Sequence, residues 1–341
     1  MSPIQGVLDR LHGRVSDLTA RIGRRVDVPA LGISDRSGQL ALDPPARISP
    51  NRACRMVRAA DGWIAVNLAR DEDRDLIPAW LHGEIEDDAW AQVERLAPTR
   101  TQAELMDGAM LLGLPACAVG EARCESPEPI VAIEGPPLVR RAGQPLKVVD
   151  LSALWAGPMC GAILAAMGAE VVRVESIGRP DPTRVTMPAF FNRLNGAKTD
   201  IAVDLADPEQ RAWLREDVMS ADVVISSARA RGLASLGLSP REKLTAVPGG
   251  VWAAITGYGW HAAPDRVAFG DDAAAAGGLV RWTATGEPNF LGDALADPLT
   301  GLAAAIGILE ALGRRGGRLV AASLAYSAAG AAFEAGLRRA A

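Results

Sequence analysis

From residue 146 onward the chain alternates short β-branched runs with longer Ala-, Gly- and Leu-rich runs, and this constrains its fold more than any other feature. "LKVVDL" (146–151), "EVVRVE" (170–175), "DVVISS" (222–227) and "VWAAITGYG" (251–259) have strand length and β-rich composition. Helical segments lie at about 158–168 and 207–217, and a third starts at about 298. Strands alternating with helices in this way predict an α/β fold with a doubly wound, mostly parallel, Rossmann-like sheet.

The first 145 residues have a different texture. Val7, Leu8, Leu11, Val15, Leu18 and Ile22 recur at spacings of three and four, predicting an amphipathic helix over 5–25. Residues 27–51, rich in Pro, Gly and Ser, read as irregular connection. "CRMVRAADGWIAVNL" (54–68) reads as two strands turning at Asp61-Gly62. Residues 71–82, 86–97 and 100–113 read as helices, the last opening with the capping-box pattern Thr101-x-x-Glu104. The expected division is therefore an N-terminal helix and linker (1–51), a small α+β domain (52–120), a Pro-containing linker (121–145) and a large domain (146–341). A chain of 341 residues is long enough for two cores.

Composition narrows the chemistry. A net charge of −5 with no basic block, and only 4% aromatics, argues against nucleic acid as a partner. The first thirty residues are charged, so neither a signal peptide nor a membrane span is expected, and a cytoplasmic location follows as an expectation. Cys54, Cys117, Cys124 and Cys160 form no C-x-x-C pair, which points to reduced thiols and no metal site. With only His12, His82 and His261, Ser-His-Asp chemistry has little to draw on.

Two stretches could carry a site. Residues 147–175 run strand, loop, helix, strand and end at Glu175, but the loop offers only Gly157 and Gly161, not G-x-G-x-x-G, and there is no Walker A sequence. The unit could hold a nucleotide, or its glycines could simply let the helix pack on the sheet. The second stretch, "GDALADPLTGLAAAIGILEAL" (292–312), sets Asp293 and Asp297 before an apolar helix. Asp297-Pro298 fits an N-cap followed by Pro at the first helical position. It fits equally a carboxylate kept ionised at a helix N-terminus and available as a nucleophile.

Read as a whole, residues 145–335 resemble the class III CoA-transferases, the group that includes formyl-CoA and carnitine CoA-transferases. The blocks that carry the resemblance occur in order: "VVDLSALWAGPMCGAILAAMGAEVVRVES", "NRLNGAKTDIAVDLADPEQRAWL", "ADVVISSARARGLASLGLSP", "ITGYGWHAAP", "FGDDAAAAGGLV" and "ADPLTGLAAAIGILEAL". Residues 56–81 and 99–119 resemble the family's small domain, which normally follows the large one, so the order here looks permuted. The resemblance implies a transferase in which Asp297 is the nucleophile and forms an aspartyl-CoA thioester. It implies CoA contacts from Ala153, Leu154, Trp155, Ala156, Gly157, Ser176, Lys198, Ser227 and Arg229. Coenzyme A or acyl-CoA would then be a substrate rather than a permanently bound cofactor, with carboxylic acids as the other substrates. A homodimer is also implied, interlocked if the permuted order keeps the family's threading, with the partner's small lobe completing the site.

Departures from the family pattern keep other readings in view. Phe269 stands where related acyl-CoA racemases place a His, Gly270 replaces the acid that follows, and Asp271 and Asp272 are out of register. Ser227 replaces the usual Asn, and "ARISPNRA" (46–53) replaces the glycine-rich loop of oxalate-handling members, so formate and oxalate are not the expected substrates. The alternatives are an acyl-CoA racemase or isomerase, a non-catalytic CoA-binding subunit and, last, a nicotinamide-dependent oxidoreductase.

Overall fold

A computed structural model describes residues 3–86, 88–138 and 144–337. Parts of the expected 121–145 linker, and residues 338–341 of the expected large domain, lie outside the described residues.

Strands β1 (Cys54–Arg58), β2 (Trp63–Asn67) and β3 (Ala116–Ala118) form a small antiparallel sheet in that order. The β1–β2 turn closes where Asp61-Gly62 predicts it, with the Ala59 N–H donating to the Gly62 carbonyl at 2.9 Å. Helices Ile77–Leu81, Ala89–Leu96 and Gln102–Leu112 cover this sheet, and Trp80, Trp90, Val93 and Leu105 give the lobe a core of its own. The Thr101/Glu104 capping box forms as its sequence implies.

The large sheet has seven strands: β4 (Ile130–Ile133), β5 (Lys147–Leu151), β6 (Glu170–Ser176), β7 (Thr199–Val203), β8 (Val223–Ser226), β9 (Val251–Thr256) and, beyond a short ribbon of β10 (Val280–Trp282) and β11 (Pro288–Phe290), β12 (Arg318–Ser323). Their spatial order is β4-β12-β9-β8-β5-β6-β7, parallel throughout except for β4. The doubly wound α/β sheet is thus present. From β5 the chain moves outward through β6 and β7, then returns to the other side of β5 with β8. The β5/β8 boundary is therefore the topological switch point, where open α/β sheets leave a crevice at the strands' carboxyl ends.

Side chains alternate between two cores. Val148, Val223, Ile225, Ala253 and Val320 face helices Ala156–Met167, Ala296–Gly313 and Leu324–Glu334. Val149, Val224, Trp252 and Leu319 face the opposite layer through Leu214, Val218 and Leu244. Helix Ala296–Gly313 is apolar enough to cross a bilayer by composition, yet is 78% buried as a core helix. Its small residues allow close packing: a methyl group at Gly301 would lie 2.8 Å from the Ala156 carbonyl oxygen.

Two features refine the sequence division, and a third joins the two lobes. The expected linker supplies β4, a Pro-flanked edge strand with Ile130 and Ile133 exposed, as edge positions permit. The N-terminal helix Gln5–Ile22 belongs to the large domain, burying Val7, Leu11 and Val15 there, while Arg14 bonds Glu128 and Glu310. The small lobe packs against the large domain of the same chain. Gly120 and Ala122 N–H groups donate to Ala275 and Ala276 carbonyls, and Asn67 Nδ2 donates to Asp272 Oδ1 at 3.0 Å. The two backbone bonds use the last carbonyls of helix Gly270–Ala276, groups that the helix itself leaves only partly satisfied.

Candidate functional site

Asp297 does not cap its helix. The N-cap is Leu295, the helix starts at Ala296, and Asp297 and Pro298 sit in the first turn, two positions later than the Asp-Pro pattern implies. Freed from capping, the Asp297 carboxylate accepts the backbone N–H of Ala156, the first residue of helix Ala156–Met167. It therefore lies near the positive ends of two long helices, its own and its neighbour's. Oδ2 also rests against Gly270, where a methyl group would overlap it. Glycine at 270 is what makes room for the carboxylate.

Around Asp297 is a buried network drawn from four distant segments. Arg36 pairs with Asp293 through two bonds, Nε–Oδ2 at 2.5 Å and Nη2–Oδ1 at 2.8 Å, and lies 5.1 Å from the Trp155 ring centroid. Asn51 Nδ2 bridges Asp271 Oδ2 (2.6 Å) and Asp293 Oδ1 (3.1 Å). The orientation of its amide follows from the other side, because Asn51 Oδ1 accepts the Ala53 N–H at 2.8 Å. Asp271 Oδ1 accepts the Ala294 N–H at 2.7 Å, and Trp155 Nε1 donates to the Ile33 carbonyl at 2.8 Å. Leu154 and Ala294, which flank the cluster, both hold positive φ (70° and 44°), an uncommon conformation for side-chain-bearing residues that concentrates at functional sites.

The electrostatics follow from burial. Burial pushes Asp297 up to about 7, and Asp271 and Asp293 add to the rise, while Arg36 and the Ala156 N–H oppose it. Burial also lifts Asp271 to about 6, with Asp293 adding. Asp272, one residue on, faces the small lobe instead. Burial raises it to about 8 despite the bonds from Phe269 N–H and Asn67, and its Oδ2 has no partner among the described residues.

The residues expected to bind CoA divide into two groups. Ala153, Leu154, Ser176, Ser227 and Arg229 lie on the rim at the carboxyl ends of β5, β6 and β8, and the Ala153 N–H donates to Ser227 Oγ (3.2 Å) across the switch point. Trp155, Ala156 and Gly157 lie beneath the rim. Trp155 packs edge-on to Phe190 in the core, and Gly157 is needed because a Cβ there would overlap Ser152. Lys198 lies apart from both groups. Its ammonium is fully buried and donates to Asp150, the Pro158 carbonyl and Asn195 at 2.8–2.9 Å, which leaves no donor for a phosphate. It pins helix Ala156–Met167 from behind, next to Gly161. Glu175 is committed to Arg173 and Arg184 and is not a free ribose-binding acid.

Sequence reasoning missed Arg36 and Asn51, because an irregular segment has no periodicity to show which way a side chain points. It also missed a group of guanidinium charges on the rim. Arg229 is pulled down by burial and then by Arg231, Arg70 and Arg179, so four arginines from three segments act on one another there. Arg70 is paired with Asp73 and Arg231 faces Asp265, but the like charges around Arg229 outweigh the one carboxylate acting on it, a balance that suits an anionic ligand.

The sequence model of CoA-transferase family III matches residues 144–334. Over 181 residues the chain is 33% identical to succinyl-CoA–D-citramalate CoA-transferase of Chloroflexus aurantiacus, covering 50% of this chain and 45% of that one. Over 184 residues it is 33% identical to succinate–glutarate CoA-transferase of Agrobacterium fabrum, covering 49% and 46%. The chain thus spans less than half the length of these curated relatives. Among solved structures, a CAIB/BAIF family protein from Brucella suis superposes with a TM-score of 0.51 at 31% identity, over 55% of each chain.

Proposed function

The chain belongs to CoA-transferase family III, and on that premise we propose that it moves CoA between carboxylic acids through a covalent intermediate on Asp297. The observation that carries this reading is the placement of the Asp297 carboxylate. It is buried, accepts the N–H at the start of a second helix, and lies below the crevice where CoA would enter.

In the proposed sequence an Asp297 oxygen attacks the thioester carbonyl of a donor acyl-CoA. The C–S bond breaks, giving an acyl-aspartyl anhydride and the CoA thiolate. The thiolate attacks the Asp297 Cγ carbonyl, the anhydride C–O bond breaks, and the donor leaves as its carboxylate. An acceptor carboxylate then reverses both steps and restores Asp297. Each attack builds a negative oxygen next to the helix N-termini, where partial positive charge stabilises it. No net proton is transferred, so the sequence of steps needs no acid–base partner for Asp297.

CoA is assigned to the β5/β8 crevice, with Ala153, Leu154, Ser176 and Ser227 along its backbone-lined wall and its phosphates at Arg229 and the arginines around it. Trp155, Ala156 and Gly157 would support that wall from below. The names of the two relatives point to dicarboxylic acids as the acyl groups. Assembly as a homodimer is part of the same proposal.

The test is mass spectrometry of the protein after incubation with a panel that includes succinyl-CoA and glutaryl-CoA. An adduct of CoA mass on the peptide containing Asp297, absent in Asp297→Asn, supports the reading. No adduct with any acyl-CoA, or an adduct that persists in Asp297→Asn, overturns it. A racemase would instead exchange the α-proton of a 2-methylacyl-CoA with solvent deuterium and form no adduct.

A further inference from the structure

Arg36 comes from a segment outside the residues matched by the family, yet it is the cation placed among the carboxylates around Asp297. Its side chain is 13% exposed and Asp293's is 10%, so their pair is largely shielded from water and salt. Trp155 covers one face of the guanidinium, and the next residue, Ala156, holds Asp297. Asn51 ties Asp293 to Asp271, so the acids cannot separate to relieve their repulsion. Three carboxylates therefore share one guanidinium in an enclosed space. Taking the proposed nucleophile as Asp297, we propose that Arg36 is a positioning residue that sets the ionisation of Asp297, and that Asp293 both anchors Arg36 and limits how much of its charge reaches Asp297.

Among the described residues, the groups that act most strongly on Asp297 are Arg36 as cation, Asp271 and Asp293 as anions, and the Ala156 N–H as neutral donor. Removing the cation must raise the proton affinity of Asp297. Removing the charge on Asp293 must lower it twice over, by deleting a like charge and by releasing Arg36 to the remaining acids. A pair with a merely structural role predicts neither change, and no structural role predicts changes of opposite sign.

The experiment is a carbon-13 titration of aspartate carboxyl groups in the whole protein, with the Asp297 signal assigned by its loss in Asp297→Asn. Arg36→Gln should move the midpoint up by about one pH unit, a tenfold change in proton affinity, and Asp293→Asn should move it down. An unmoved midpoint, or movement of both in the same direction, overturns the proposal. Should Arg36→Gln not fold, Asp293→Asn decides alone: a downward move supports the proposal, and an unmoved or raised midpoint overturns it. Because the titration needs no substrate, its failure is distinct from failure to trap a CoA adduct on Asp297.

Discussion

Arg36 and Asp293 are 257 positions apart in the chain, yet their side chains meet in a two-pronged pair beneath Asp297. The pair joins a segment without regular structure to the loop before the central apolar helix. Breaking it from one side leaves an uncompensated buried charge, so Arg36→Gln should destabilise the protein by about 3–5 kcal/mol. Asp293→Asn leaves the guanidinium unpaired and should also destabilise. The double variant should lose less than the two single losses added together, as urea denaturation of all four proteins would show.

Asp297→Asn should abolish CoA transfer without loss of stability. The residue is not its helix's cap, and its carboxyl is pushed up to about 7, so a neutral amide of the same shape suits the site at least as well above that pH. Thermal melts at pH 8 should show the variant equal to or more stable than the parent. A large drop would assign Asp297 a structural role.

Gly270→Ala should impair transfer through geometry. The added methyl group would overlap Asp297 Oδ2 and lie 2.7–2.8 Å from Ala294, so the carboxylate or its loop must shift. The expected stability loss is about 1–3 kcal/mol, typical of overpacking. Transfer should fall by more than that loss accounts for, measured at a temperature where both proteins are fully folded.

Lys198 and Arg229 should behave oppositely. Lys198→Met strands the buried Asp150 carboxylate and should cost about 3–5 kcal/mol. Arg229→Ala removes a guanidinium crowded by like charges, so stability should hold while CoA affinity falls and becomes less sensitive to salt. Calorimetric titration with CoA at two salt concentrations distinguishes these outcomes.

Stability should decline as pH rises from about 4 to about 8. Asp272 is raised to about 8, Asp297 to about 7 and Asp271 to about 6, so across this range the folded chain holds more protons than the unfolded one. Unfolding free energy falls with pH wherever that is so. The contribution of Asp272 is complete below the ordinary aspartate range and lost as pH passes about 8. In Asp272→Asn the slope of urea midpoint against pH should be shallower over this range.

What the sequence determined by itself is what local chemistry controls. Strand runs and helical spacing identify the doubly wound sheet, Asp61-Gly62 locates the hairpin turn, and Thr101/Glu104 marks a helix start, because each depends on neighbours within a few residues. The tertiary structure decided what depends on where distant segments meet. Whether Asp297 caps its own helix or serves another was settled by packing: the helix begins two residues earlier than its Asp-Pro suggests, and Ala156 brings the N–H that the carboxylate accepts. Lys198 reads as an accessible cation until folding buries it on Asp150. Arg36 and Asn51 lie in a stretch whose side-chain directions follow no period, so only the folded chain could direct them at Asp293 and Asp271.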